Sequence, residues 1–118
     1  MHPPAEILIV DGAGVRVASV SGVLDVFSAS VVGARILAKL PADVKQLVID
    51  LDGIEFMDSA GVSALVRLRE HAGTRGLDVH VRLGHAPHMN PTVIAVLRRV
   101  LVCDDDQATA RSPVSSTG

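Results

Sequence analysis

The feature that most constrains this 118-residue chain is an apolar run that leads into a helix start. Residues 45–51, Lys-Gln-Leu-Val-Ile-Asp-Leu, form a nearly continuous apolar strand, which is typical of central strands covered on both faces. A short acidic connection follows at residues 52–55, and an Asp-Ser step at Asp58 and Ser59 then begins a helix. This stretch therefore predicts a strand, a turn and a helix, with the Ser59 hydroxyl at the helix N-terminus.

Strands and helices alternate along the rest of the chain. Residues 5–10 and 15–20 predict a hairpin, and residues 21–25 are expected to interrupt its second strand. After the hairpin, the sequence predicts helix 29–40 with an N-cap at Ser28, the central strand, and a helix from residue 59 or 60 to 72 before a C-terminal Gly73. Strand 77–83, helix 91–99 with an N-cap at Asn90, strand 100–103 and a brief terminal helix follow.

This order predicts an α/β fold in a single domain. The small mixed sheet is expected to be mostly parallel, with the N-terminal antiparallel hairpin at one edge and three to four helices. We assign residues 1–107 to the domain and residues 108–118, which are rich in small and hydroxyl side chains, to a disordered tail.

Composition narrows the class of protein. The chain is 48% hydrophobic but only 2% aromatic, which predicts a core made mainly of aliphatic side chains. Its two phenylalanines, Phe27 and Phe56, are expected to pack in that core. The net charge of -2, without clustered basic residues, argues against a nucleic-acid partner. No apolar run approaches the ~20 residues that a membrane-spanning helix needs, and no secretory signal is visible at the start. Cys103 is the single cysteine, so we expect a cytoplasmic domain without disulfides or membrane contact.

Two enzymatic sites are weighed and set aside. Asp50-Leu51-Asp52-Gly53 resembles the first motif of haloacid-dehalogenase-type phosphatases, but too few residues follow to supply the remaining motifs. Asp50 and Asp52 are then loop and capping carboxylates. Ser59 after a strand is similar to a nucleophile elbow, but Met57 stands where that motif has glycine, and no histidine is marked as a base. We therefore expect no catalytic residue.

A metal site is also weighed. His80, His85 and His88 lie close in sequence, yet their spacing is loose and no carboxylate or cysteine is clearly placed with them. Solvated histidines are the favoured interpretation, so we expect no bound metal and no cofactor.

Two motifs, about thirty residues apart, resemble those of a known family. Gly22-Val23-Leu24-Asp25 and Phe56-Met57-Asp58-Ser59-Ala60-Gly61 are similar to the two signature turns of the STAS domain, the fold of bacterial anti-sigma factor antagonists. By that resemblance, Ser59 is the serine that an anti-sigma factor of the serine kinase type phosphorylates. The resemblance implies the following partner-binding residues: Gly22, Leu24, Asp25, Asp58, Ser59, Ala60, Gly61 and Val62.

The implied mechanism is partner switching. The unphosphorylated domain binds the anti-sigma factor and so releases a sigma factor, while phosphate on Ser59 breaks that contact until a phosphatase removes it. Phosphate adds roughly −1.5 to −2 charges, which the N–H groups and dipole of the helix are expected to hold.

The alternative is a STAS-type module that binds a nucleotide or other small molecule, or acts as a scaffold, without phosphorylation. From the local pattern alone, Ser59 is an ordinary N-cap. The loop at residues 84–90 is longer than the family pattern leads us to expect.

Overall fold

A computed structural model describes residues 5–84, 91–101 and 103–104 of the chain. In these ranges the elements are β1 (Glu6–Gly12), β2 (Val15–Leu24), α1 (Ala29–Leu37), β3 (Gln46–Met57), α2 (Ser59–Thr74), β4 (Asp78–Arg82), α3 (Pro91–Val100) and β5 (Cys103–Asp104). The predicted α/β fold is confirmed. The expected terminal helix and tail lie outside the described residues, as does most of the loop at 84–90, so the proposed domain boundary at residue 107 stays a prediction.

The strands form one sheet in the order β1-β2-β3-β4-β5. β1 is antiparallel to β2, and each later strand is parallel to the one before it. Because right-handed crossovers between successive neighbours place every connecting helix on the same side, α1, α2 and α3 all contribute to a single core against one face of the sheet. The mostly parallel sheet with a hairpin edge is therefore confirmed.

The described helices leave the other face of the sheet uncovered. Along β3, the fully buried Leu47 and Ile49 alternate with the half-buried Val48 and Asp50. On the same open face, Leu8 of β1 is 66% exposed. The expectation of a central strand covered on both faces is thus wrong, because a strand order that never reverses puts all three helices on one side.

β2 and β3 both run further than predicted. Residues 21–24 continue β2, and the acidic connection at 52–55 belongs to β3, so Asp50 and Asp52 lie in a strand and not in a loop. The pairing of β2 with β3 shifts register twice, at Ser19/Ser21 and at Gly22/Val23. At each shift β3 has one residue more than β2, and pairing then continues to the ends of both strands. These are β-bulges, which interrupt the alternation of side chains without ending a strand.

Three predicted ends shift. α1 stops at Leu37 and not at 40, and Lys39 beyond it has a positive φ of 50°. α2 runs to Thr74, because the left-handed residue that ends it is Gly76 (φ 78°) and not Gly73. α3 continues through Val100, so the predicted strand at 100–103 is wrong in its bounds and begins only at Cys103.

The first strands are joined to α1 by a buried arginine that the sequence did not mark. Arg16 is 4% exposed, and its guanidinium donates to both carboxylate oxygens of Asp11, at 2.8 and 3.0 Å. It also donates to the carbonyl oxygens of Ile36, Ala38 and Lys39 at 2.7–3.1 Å, just where α1 ends. Arg16 therefore satisfies carbonyls that the end of the helix leaves without an intrahelical partner.

The pairing predicts a pH dependence of stability. Hydrogen bonding from Arg16 holds the pKa of Asp11 below its ordinary value. A pKa lowered by folding stabilises the native state above about pH 4, and this contribution is lost as the pH falls through the lowered value. Asp11→Asn should lower the urea midpoint at pH 7, and its deficit should shrink in acid. The exposed Asp43→Asn is the matched control; a deficit for Asp11→Asn that is the same at every pH would contradict this origin.

Candidate functional site

The two predicted loops meet at the carboxyl ends of β2 and β3. Leu24 is paired with Met57 at the end of the parallel register, so Asp25 and Asp58, the residues that directly follow the two strands, begin neighbouring connections. In sheets of this kind, binding sites gather at the carboxyl edge of the strands. The pairing thus brings together the two motifs on which the sequence hypothesis depends.

The first connection is held by its own side chains. The Asp25 carboxylate accepts from the N–H groups of Phe27 and Ser28, at 2.9 and 3.1 Å. The Ser28 hydroxyl lies 2.9 Å from the Val23 carbonyl and accepts from the N–H of Asp25. Ser28 is the N-cap residue of α1, as predicted, but its side chain makes no capping hydrogen bond. The loop is therefore a compact turn that fixes the Asp25 carboxylate.

In the second connection the helix cap is Asp58 and not Ser59. The Asp58 carboxylate accepts from the N–H groups of Ala60 and Gly61, at 2.9 and 3.2 Å, and the Asp58 carbonyl accepts from Val62. Ser59 is the first residue of α2 and is exposed. The interpretation of Ser59 as an N-cap is wrong, because the carboxylate one residue earlier reaches the first-turn donors.

This cap also changes the expectation for a phosphate on Ser59. Two of the N–H groups that were expected to hold it already donate to Asp58. A dianion on Ser59 would therefore lie beside a carboxylate and face solvent, without those two donors to neutralise it.

A glycine in the first turn of α2 allows the helix to approach the end of β2. A Cβ at Gly61 would lie 2.7 Å from the Leu24 carbonyl oxygen and 2.7 Å from the Met57 Cγ. Gly22 is likewise required by its conformation, since its φ of 87° is one that side chains rarely allow. Both glycines therefore position the site.

The predicted partner-binding residues fall into two groups by burial. The buried group consists of Gly22, Leu24, Gly61 and Val62, so in this structure these residues pack beneath the surface and position the site. Asp25, Asp58 and Ala60 are partly exposed and Ser59 is exposed, which makes these the residues of the set that a partner can reach. Their roles in partner binding stay predictions.

Three apolar side chains lie on the surface beside this site. Phe27, two residues after Asp25, is 85% exposed, and Phe56, two residues before Asp58, is 51% exposed. Val26 is 63% exposed. The expectation that both phenylalanines pack in the core is wrong: Phe27 belongs to the turn that Asp25 closes, and Phe56 follows a bulge that turns it away from the helices.

The other candidate sites gain no support from the described residues. Asp50 lies 3.7 Å from the Arg82 guanidinium, as part of the open sheet face. Within residues 5–84, 91–101 and 103–104, no group of three or more potential ligands is arranged to hold a metal; His85 and His88 lie outside those ranges. In the same part of the chain, no helix is long and apolar enough to cross a bilayer.

Comparison with known proteins gives a consistent picture. The family described as "Mlab, STAS domain" matches residues 10–100 of this chain. Among solved structures, an anti-sigma factor antagonist from Mycobacterium paratuberculosis is 32% identical, covers 84% of each chain and has a TM-score of 0.61. The anti-sigma factor antagonist SpoIIAA, in its unphosphorylated form, has a TM-score of 0.63 over 93% of this chain and 98% of its own, but its 18% identity supports the fold alone. No curated protein matches the chain.

The close approach at Gly61 predicts a position-specific cost for a methyl group. Gly61→Ala should lower the free energy of unfolding by ~1–3 kcal/mol, because the added Cβ overlaps backbone and core atoms. Gly73→Ala, in the same helix but with nothing within 4 Å, should instead stabilise by roughly 0.5–1 kcal/mol. Urea denaturation of the two variants measures the contrast, and equal effects would show that Gly61 is not needed for packing.

Proposed function

Because the chain belongs to the STAS domain family, we propose that it is an anti-sigma factor antagonist whose binding is switched by phosphorylation of Ser59. The observation that carries the proposal is the exposure of Ser59, the first residue of α2, beside the Asp25 turn. The 32% identity to an anti-sigma factor antagonist over 84% of both chains supports the same class. In this proposal the protein is a cytoplasmic regulator of transcription and catalyses no reaction.

Exposure makes Ser59 suitable as the substrate of another protein. Its position at the first residue of α2 leaves the side chain outside the core, so a kinase reaches the hydroxyl without unfolding the helix. The anti-sigma factor is proposed to be that kinase, and a separate phosphatase would restore the hydroxyl.

Electrostatics explain how one phosphate would end the interaction. Phosphoserine at position 59 would add roughly −1.5 to −2 charges next to the Asp58 carboxylate. Since Asp58 already takes the N–H groups of Ala60 and Gly61, the new charge stays at the surface and faces the partner. A loss of ~3 kcal/mol in binding corresponds to more than a hundredfold in affinity. The switch therefore needs no large conformational change.

In this proposal the exposed apolar side chains supply the hydrophobic contacts of the interface. Val26, Phe27 and Phe56 flank Asp25 and Asp58 in sequence, at the same edge of the sheet. Large apolar side chains that lie exposed beside a polar site are typical anchors of protein–protein contacts, since a partner removes them from water. We propose that Phe27 and Phe56 hold the anti-sigma factor against the Ser59 hydroxyl.

Ser59 variants test the switch. Incubation with an anti-sigma kinase and ATP should add one phosphoryl group to the parent protein, detected by intact mass, and none to Ser59→Ala. Ser59→Ala should keep its affinity for the kinase, whereas Ser59→Asp should lose at least tenfold, because it places a charge where the partner accepts a hydroxyl.

The matched control is Ser63→Asp, an exposed serine one turn later in α2, which should bind nearly as well as the parent. If no kinase modifies or binds the parent protein, the proposed function is wrong. Saturable nucleotide binding in its place, seen as chemical-shift changes near Gly22, Asp25 and Ser59, would favour a STAS module that binds a small ligand.

Phe27→Ala tests the apolar anchor. Because Phe27 is 85% exposed, its removal should change the urea midpoint little, while the affinity for the anti-sigma factor should fall by about tenfold or more, as for an interface anchor. Leu8→Ala, on the open face of the sheet and 66% exposed, is the matched control and should bind normally. Unchanged affinity for Phe27→Ala, measured by calorimetry, would remove Phe27 from the interface.

A further inference from the structure

A groove separates α1 from α2 on the outer side of the helical layer. Its volume is ≈ 480 Å³. On the α1 side the lining includes Gly33 and Ala34, and on the α2 side Ala64, so small residues leave the space unfilled. A Cβ built on Gly33 would meet nothing within 4 Å, which shows that this part of the groove is open.

One wall of the groove is basic. Arg67, His71 and Arg75 follow one another at four-residue intervals along α2 and its C-cap, and all three are exposed. The described residues that line the groove include no carboxylate. Arg75 donates a hydrogen bond to the Leu37 carbonyl oxygen at 3.5 Å, across one end of the groove. The wall thus presents positive charge beside apolar surface, without an acidic partner among the lining residues.

We propose that this groove, defined by Gly33, Leu37, Ala64, Arg67, His71 and Arg75, binds an acidic amphipathic helix of a partner protein. The apolar side chains of that helix would fill the space above Gly33 and Ala64, and its carboxylates would face the basic wall. Helix-in-groove docking of this kind uses apolar anchors at i, i+3, i+4 and i+7.

The spacing of the basic residues favours a helix over a small anion. Four residues of α-helix rise ~6 Å, so the backbone positions of Arg67 and Arg75 are ~12 Å apart along the axis. A single phosphate or carboxylate contacts one of them at a time, whereas acidic residues one turn apart on a partner helix repeat at the same interval. Small-molecule sites also bury most of their ligand, but the exposed walls of this groove leave one side open to solvent.

The groove is separate from the proposed switch. Arg67 and Arg75 lie ~12 and ~24 Å beyond Ser59 along the axis of α2. A partner helix in the groove therefore leaves the Ser59 hydroxyl accessible, and the inference does not depend on phosphorylation of that residue.

The probe for the test is a synthetic peptide of about 18 residues, with Leu at i, i+3, i+4 and i+7 and Glu on both flanks. A second peptide with Lys in place of Glu is the charge control. In titrations of the isotope-labelled full chain followed by NMR, the Glu peptide should cause saturable shifts at the groove residues, with little change at Ser59. The Lys peptide should bind at least tenfold more weakly, because the wall repels it.

Variants locate the binding. Gly33→Leu should abolish the shifts, because a Cβ at this position meets nothing within 4 Å and the larger side chain would extend from it into the groove. A retained circular dichroism spectrum checks that the variant folds. Arg67→Glu combined with Arg75→Glu should weaken the Glu peptide about tenfold or more, whereas Arg98→Glu, exposed on α3, should not. Absence of saturable shifts, shifts confined to the Ser59 end, or equal binding by the double variant would each overturn the proposal.

Discussion

The parallel hydrogen bonding of β2 with β3 is the interaction on which the rest of the structure depends. It lines up the ends of the two strands, so that Leu24 lies beside Met57 and the turns that follow begin side by side. It also positions the first turn of α2, because Gly61 packs directly against Leu24 and Met57 at the paired ends of the strands. Since the order of the sheet never reverses, the same pairing directs all the described helices to one face. The location of the site is thus a consequence of register and not of any single side chain.

A division of labour within α2 follows from this arrangement. The first turn is fixed by two contacts: the Asp58 carboxylate caps its N–H groups, and Gly61 packs against the ends of β2 and β3. Ser59, in the same turn, stays exposed to solvent. Chemical change at an exposed position on a rigid support alters charge without altering packing, which suits a signal read by a second protein. The other end of the helix carries the basic wall of the groove. One helix therefore carries both of the surfaces proposed above, and their separation along its axis would let each be recognised separately.

The fold was predictable where hydrophobic periodicity was simple. Alternation along β4 and the sequence of strands and helices were enough for the α/β class, and the paired motifs led to the residues now found at one edge. Periodicity failed in the second half of β3, where core positions change from intervals of two to intervals of three, so residues 52–55 were predicted as a connection and not as part of the strand. The buried Arg16 was missed because, apart from the nearby Asp11, its partners are backbone carbonyls at least 20 residues further along the chain. Exposed Phe27 was missed because hydrophobicity alone does not show which side of a turn faces water.

The two bulges of β3 also bear on how this sequence tolerates change over evolution. Between Leu51 and Met57 the exposed residues contribute little to the core, so many substitutions there would leave the fold intact. A change in the number of residues in this segment would be tolerated less well than a substitution. Loss of one residue would shift Asp58 by about 3.3 Å along β2, away from Asp25. It would also break the packing of Gly61 in α2 against the ends of the two strands. The segment is thus permissive in composition and strict in length, so we expect relatives that share this register to vary here by replacement and not by insertion or deletion.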